Sequence, residues 1–156
     1  GSGLVGSEMC IRDSSKGMVT WAKENAVSSG LKDAPIRWLV DDCVKFVERE
    51  IRRGNTYDAI IMDPPSYGRG PKGEIWKIED MIHPLIRLCA KILSKDALFF
   101  LVNSYTTGLA PAVLTYMIST ELKSWNGHVD SQEIGLPVTN SGLVLPCGAS
   151  GRWESR

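Results

Sequence analysis

Tyr57-Asp58-Ala59-Ile60-Ile61-Met62-Asp63-Pro64-Pro65-Ser66-Tyr67 is the stretch that decides the fold. Ala59–Met62 reads as a central strand of a parallel sheet, apolar on both faces. Pro64 and Pro65 cannot extend a hydrogen-bond ladder, so the chain must leave the sheet there. Two prolines hold φ near about −65° and make a stiff corner. In open α/β sheets, ligands bind just beyond the carboxyl ends of the strands. A rigid corner at that place can hold Asp63 and Tyr67 against a small planar group. The plainer alternative is a Pro-Pro turn that only ends a strand.

Outward from the corner the pattern alternates helix and strand. Lys16 to Ser29 suits a helix, with Met18, Trp21 and Ala22 at helical spacing and Gly30 as its stop. Pro35 precedes a strand at Ile36–Val40. Asp41 or Asp42 caps a helix that runs to Arg53, with Val44, Val47 and Ile51 on one face. Ser66 to Glu74 reads as a Gly-rich loop. A helix over Ile78–Leu93 turns Ile82, Leu85, Ile86, Cys89 and Ile92 inward, and His83, before Pro84, reads as structural. Ala97–Val102 is another buried strand. Pro111 starts a helix over Ala112–Leu122. Two shorter β segments follow, near Val129–Ile134 and Leu143–Pro146. This is an α/β chain of one domain's length.

Composition narrows the function classes. The chain has 156 residues, 43% apolar and 23% charged, ordinary for a globular protein. Net charge is zero, with 18 basic and 18 acidic residues, which argues against strong nonspecific nucleic-acid binding. No apolar run reaches the roughly 18 residues of a membrane span. The four cysteines are far apart, with no Cys-x-x-Cys, so neither a metal site nor a disulfide framework is expected. A reduced, cytoplasmic setting follows.

Asp63-Pro64-Pro65-Ser66-Tyr67 resembles motif IV of class I S-adenosylmethionine-dependent methyltransferases, in the Asp-Pro-Pro-Ser-aromatic form of the ribosomal-RNA methyltransferase-like branch. Ile36 to Ser104 follows that branch's run of strand, acidic pair, helix, strand, Asp-Pro-Pro corner, helix and strand. Leu136-Pro137-Val138 and Leu143-Val144-Leu145-Pro146-Cys147-Gly148 resemble the end of such proteins. The resemblance implies a Rossmann-like sheet, S-adenosylmethionine as cofactor and a base of RNA as substrate. Methyl transfer to nucleobase nitrogens of DNA, or to protein, is an alternative that the inserted Ser66 disfavours. A different class of reading is a non-catalytic, self-associating α/β domain without ligand.

The resemblance also implies the site residues. Asp63, Pro64 and Tyr67 form the catalytic corner: Asp63 and the Pro64 carbonyl accept from an amino group, and Tyr67 stacks on the base. Asp42, or else Asp41, faces the adenine, Asp13 faces the ribose, and Asp63 borders the cofactor. Helix capping is the competing role for Asp41 and Asp42. Arg69, Lys72, Asn103 and Tyr105 join Tyr67 in holding substrate, although two loop cations are more often merely solvated. No cysteine follows the next strand where related C5 methyltransferases carry a nucleophile, so covalent catalysis is not expected.

The amino terminus reads as foreign. Gly1-Ser2-Gly3 resembles a cloning scar, and Leu4 to Ser14 resembles a translated sequencing adapter, a contaminant of assembled metagenomic reads. On that reading residues 15–156 are the carboxyl-terminal portion of the domain. Strands 1 and 2 are then missing, and so is the Gly-rich turn that leads from a strand into a helix. The expected sheet order is 3-4-5-7-6, with strand 7 antiparallel and Ile36–Val40 sliding beside Ala59–Met62. Bound cofactor and activity are then expected to be lost, and a homodimer is expected through the helix bearing Met18, Trp21 and Val27.

Overall fold

A computed structural model describes residues 9–13, 15–69, 73–106 and 108–156. The chain divides into two compact units, Gly1–Arg49 and Glu50–Arg156.

In the first unit, β1 (Met9–Asp13) pairs in parallel with β2 (Ile36–Val40), and α1 (Lys16–Ser28) connects them. This is one βαβ crossover. Ser15 starts α1 by accepting from the Met18 N–H through its hydroxyl. Gly30, at φ 76°, ends it: its N–H reaches the Val27 carbonyl and the Leu31 N–H reaches that of Ala26. α2 (Cys43–Arg53) runs across the unit boundary. Gly54 closes α2 in the same way, with N–H bonds from Gly54 to Ile51 and from Asn55 to Glu50.

Two expectations are corrected here. Ile36–Val40 takes Met9–Asp13 as its neighbour, not Ala59–Met62. The position expected to lack strand 2 is occupied by Met9–Asp13, so the order beginning 3-4 does not form. Twenty-two residues separate Met9–Asp13 from Ile36–Val40 and 18 separate Ile36–Val40 from Ala59–Met62, so either crossover is long enough and distance along the chain does not choose between them.

The second unit holds a four-stranded sheet in the order β3 (Ala59–Met62), β6 (Phe99–Ser104), β8 (Val144–Ser155), β7 (Gly127–Pro137). β3 and β6 are parallel, and β8 runs antiparallel between β6 and β7. This is the expected 4-5-7-6 portion with strand 7 reversed. α3 (Ile78–Ala90) and α4 (Pro111–Glu121) supply the apolar layer with Ile82, Ile86, Leu114 and Ile118 against Phe100, Val102 and Trp153, all buried. Gly151 of β8 lets α4 approach: a Cβ there would lie 2.8 Å from Leu114 Cβ. Between the two helices, Glu121 accepts from His83 Nε2 at 2.7 Å and Arg87 Nε at 3.1 Å. Desolvation works against the Glu121 charge, but these two partners outweigh it and lower its pKa.

The loop expected over Ser66–Glu74 holds a strand instead. β4 (Tyr67–Arg69) pairs antiparallel with β5 (Ile75–Lys77), which leads straight into α3. β8 is also far longer than the segment expected at Leu143–Pro146.

Candidate functional site

The second unit collects the corner residues at one sheet edge. Met62 pairs with Val102 in the parallel register, so Asp63, just past β3, comes next to Asn103 near the end of β6. Parallel strands end together, and their carboxyl ends form a shared rim.

Three hydrogen bonds fix the corner. The Trp76 indole donates to the Pro65 carbonyl at 2.6 Å. The Ile78 N–H donates to the Ser66 carbonyl at 3.1 Å. The Thr106 hydroxyl donates to the Ser66 hydroxyl at 2.6 Å, tying the corner to the segment after β6. Ser66 thus has a structural task that a direct Pro-Pro-aromatic corner could not perform. The Pro64 carbonyl and the Asp63 carboxylate are left without a hydrogen bond from the described residues.

Asp63 is exposed as a residue, yet its surroundings desolvate the carboxyl enough to push its pKa above the ordinary aspartate range. Among the described residues no cation or donor offsets that cost. Tyr67 begins β4 and is 54% exposed. Tyr105 is exposed and Asn103 half-buried, and neither side chain is hydrogen-bonded to a described residue. Arg69 lies in β4. Lys72 falls outside the described residues.

The first unit carries the other acids. Asp13 and Asp41 lie at the carboxyl edge of the β1–β2 pair, where the Asp41 N–H donates to the Asp13 carbonyl at 3.0 Å. Asp13 Oδ1 accepts from the Ser15 N–H at 2.6 Å. Asp42 caps α2 through Lys45 N–H at 2.9 Å, and Asp41 is ion-paired with Arg49. The structure therefore gives both members of the acidic pair local partners. A carboxylate has about four lone-pair sites, so these roles and ligand binding are compatible.

Gly-x-Gly-x-x-Gly spacing does occur, at Gly1-Gly3-Gly6 and Gly68-Gly70-Gly73. The first lies outside the described residues. In the second, Gly68 lies in β4 and Gly70 falls outside the described residues. The described residues thus offer acceptors suited to hydroxyl and amino groups of a nucleoside, and no strand-to-helix glycine turn. Sequence reasoning missed Ile75 and Lys77 as neighbours of Tyr67. The alternation Tyr67-Gly68-Arg69 and Ile75-Trp76-Lys77 around a Gly-Pro-rich turn was the available hairpin signal.

No protein-family model matches the chain. It is 34% identical over 82 residues to ribosomal RNA large subunit methyltransferase K/L of Pseudoalteromonas atlantica, covering 52% of this chain and 11% of the relative. It is 27% identical over 93 residues to ribosomal RNA large subunit methyltransferase K of Neisseria meningitidis, covering 59% and 26%. Among solved structures, a SAM-dependent methyltransferase from Agrobacterium tumefaciens superposes with a TM-score of 0.88 at 36% identity, over 96% of this chain and 49% of that one. A protein named as a methyltransferase and solved in complex with SAH shares the fold, with a TM-score of 0.72 at 20% identity over 94% and 39%. The chain thus spans about half of the Agrobacterium protein and less of the curated relatives. Its fold is the Rossmann-like methyltransferase fold; the curated relatives are ribosomal RNA large subunit methyltransferases, and the Agrobacterium protein is a SAM-dependent methyltransferase.

Proposed function

We propose that this chain belongs to an S-adenosylmethionine-dependent enzyme that methylates a base of ribosomal RNA, in a cytoplasmic setting. The observation that carries it is Asp63: a desolvated, unpartnered carboxylate on a corner held by three hydrogen bonds. The cofactor supplies a methyl group on a sulfonium sulfur, so the protein's work is positioning more than base strength. Asp63 and the Pro64 carbonyl accept hydrogens from the base's amino group and set its orientation. Tyr67 stacks on the base, worth about 1–3 kcal/mol. Asn103 and Tyr105, on the same rim, bound the base edge. Asp13 accepts from ribose hydroxyls, and Asp42 or Asp41 from the adenine amino group.

The 156-residue chain on its own is expected to bind cofactor weakly and to turn over little, since the described residues include no glycine turn opening a helix. Thermal shift with S-adenosylmethionine tests the reading, because a ligand that binds only the native state raises Tm with concentration. A dose-dependent rise that Asp42→Asn diminishes and Arg52→Gln does not is the expected result. No rise at any concentration would leave the ligand-free domain as the better account. That second reading has one observation in its favour: Met18, Trp21 and Val27 on α1 are all exposed. It predicts a dimer in sedimentation that Trp21→Ser dissociates.

A further inference from the structure

The β4–β5 hairpin has two unlike faces. Register pairs Tyr67 with Lys77 and Arg69 with Ile75. Directly opposed residues share a face, as do residues two apart. One face is therefore Gly68 and Trp76, half-buried, with the indole on the Pro65 carbonyl. The other is Tyr67, Arg69, Ile75 and Lys77, all exposed.

This outer face violates two local rules. Ile75 is 52% exposed beside Tyr67, on a hairpin too short to fold by itself. Lys77 is the N-cap residue of α3, where the helix dipole disfavours a cation and where its side chain makes no capping bond. Glu79 and Asp80 in the first turn answer the dipole, but neither is ion-paired with Lys77 or Arg69. Two cations, an aromatic ring and an aliphatic side chain thus share a patch about 5 Å across and 7 Å along. None is committed to the fold by a hydrogen bond from its side chain.

We infer that the outer face of the β4–β5 hairpin is a platform for the single-stranded RNA that flanks the target base. Arg69 and Lys77 contact successive phosphates. Ile75 packs against the sugar or base edge between them. Tyr67 stands at the corner end, so the platform leads the strand to Asp63. Single-strand sites combine cations along the backbone with aromatic stacking, and this face carries both. A neutral molecule needs such local placement, since its net charge supplies no general attraction. The inference rests on the RNA-methyltransferase reading and adds the route of the strand.

Fluorescence anisotropy with a short, mixed-sequence single-stranded RNA tests it on the whole chain. All four side chains are exposed, so the variants should fold, and circular dichroism verifies this. Arg69→Gln/Lys77→Gln should weaken binding and lower the slope of log K against log salt by about 1.4, at about 0.7 per single-strand phosphate. The charge-matched Arg52→Gln/Lys123→Gln should leave the slope unchanged. Tyr67→Ala should weaken binding about 5- to 150-fold, and Tyr67→Phe should restore it. RNA binding whose affinity and slope survive the Arg69/Lys77 change overturns the platform while the RNA reading stands. No RNA binding at low salt, with binding of an acidic peptide instead, overturns both.

Discussion

Gly148→Ala should be among the most damaging single-methyl changes in this protein. Gly148 lies in β8 where register shifts: Ile134 pairs with Gly148, while Gly135 pairs with Pro146. The displaced strand presses Gly148 onto the end of β6. A Cβ there would sit 2.1 Å from the Ser104 carbonyl oxygen and 2.9 Å from Tyr105 Cα. Both are backbone atoms, at the end of the interior strand β6 and just past it, so no side-chain rotation relieves the clash. Overpacking costs typically about 1–3 kcal/mol, and the upper half of that range applies when backbone must move. At about 2–4 °C per kcal/mol for a domain of this size, Tm should fall by about 4–12 °C. The displacement falls on Ser104–Tyr105, next to Thr106, which holds Ser66. Hydrogen exchange should therefore show lost protection at Thr106, whose N–H donates to Ser104 Oγ at 3.3 Å. Gly17→Ala is the internal control, since its new Cβ would meet only Ser15 Oγ at 3.8 Å. It should melt at or slightly above the parent temperature. Equal melting of parent and Gly148→Ala would refute the packing argument.

Three further outcomes are expected. Asp63→Asn should retain or gain stability at neutral pH, because burial raises the Asp63 pKa and so makes its ionisation a cost to the fold. That gain should vanish below the ordinary aspartate range, where both states are protonated, and methyl transfer by any active form should be lost; matched urea titrations at neutral and acid pH check it. Glu50→Ala should cost about 2–3 kcal/mol in urea titration, since Glu50 is 1% exposed and accepts from Arg53, Asn55 and Tyr57. Desolvation opposes the Glu50 charge, but these partners lower its pKa overall, so its contribution is present above the ordinary glutamate range and lost as pH falls through the lowered value. Trp76→Phe removes the donor to Pro65 and should cost about 1 kcal/mol. Proteolysis should then open the β4–β5 hairpin before the rest of the second unit; uniform digestion would contradict this.

What could be read from the residues follows from how local the signals are. Ile36–Val40 and Ala59–Met62 form as expected because each is an apolar run bounded by Pro, Asp or Gly. α3 buries four of the five residues its spacing assigns, and the fifth, Ile92, is buried just past the helix end at Ala90. β8 extends well past the expected Leu143–Pro146, through Gly148 and Gly151, residues that by composition alone favour no strand. Its inward set, Ala149, Gly151 and Trp153, alternates at period two, and the small residues are there to admit α4 and the end of β6. On α2 the buried face is Phe46, Val47 and Glu50, not Val44, Val47 and Ile51. A carboxylate enters the core there because Asn55 and Tyr57, beyond the helix, meet it. Ile36–Val40 pairs with Met9–Asp13, part of the segment read as foreign, and an apolar strand pattern alone does not say which of two possible neighbours it will take.

The corner shows why the Asp-Pro-Pro-Ser-Tyr order matters chemically. Pro64 and Pro65 have no N–H, so neither can donate to Asp63, and the sheet ladder ends before it. The nearby donors are spent elsewhere: the Trp76 indole on Pro65, the Ile78 amide on the Ser66 carbonyl, the Thr106 hydroxyl on the Ser66 side chain. Every one of these bonds stiffens the backbone around Asp63 and none reaches its carboxylate. A neutral residue would suit such surroundings better, since desolvation without a partner penalises charge. A carboxylate held rigidly where no described residue donates to it gains when a donor arrives from outside. In the proposed function that donor is an amino group of the base, and ordering the corner beforehand lowers the entropy lost when it binds. Local rules therefore fail together at Asp63, Ile75 and Lys77, one at the corner and two on the hairpin that leaves it, as expected where a ligand completes the arrangement.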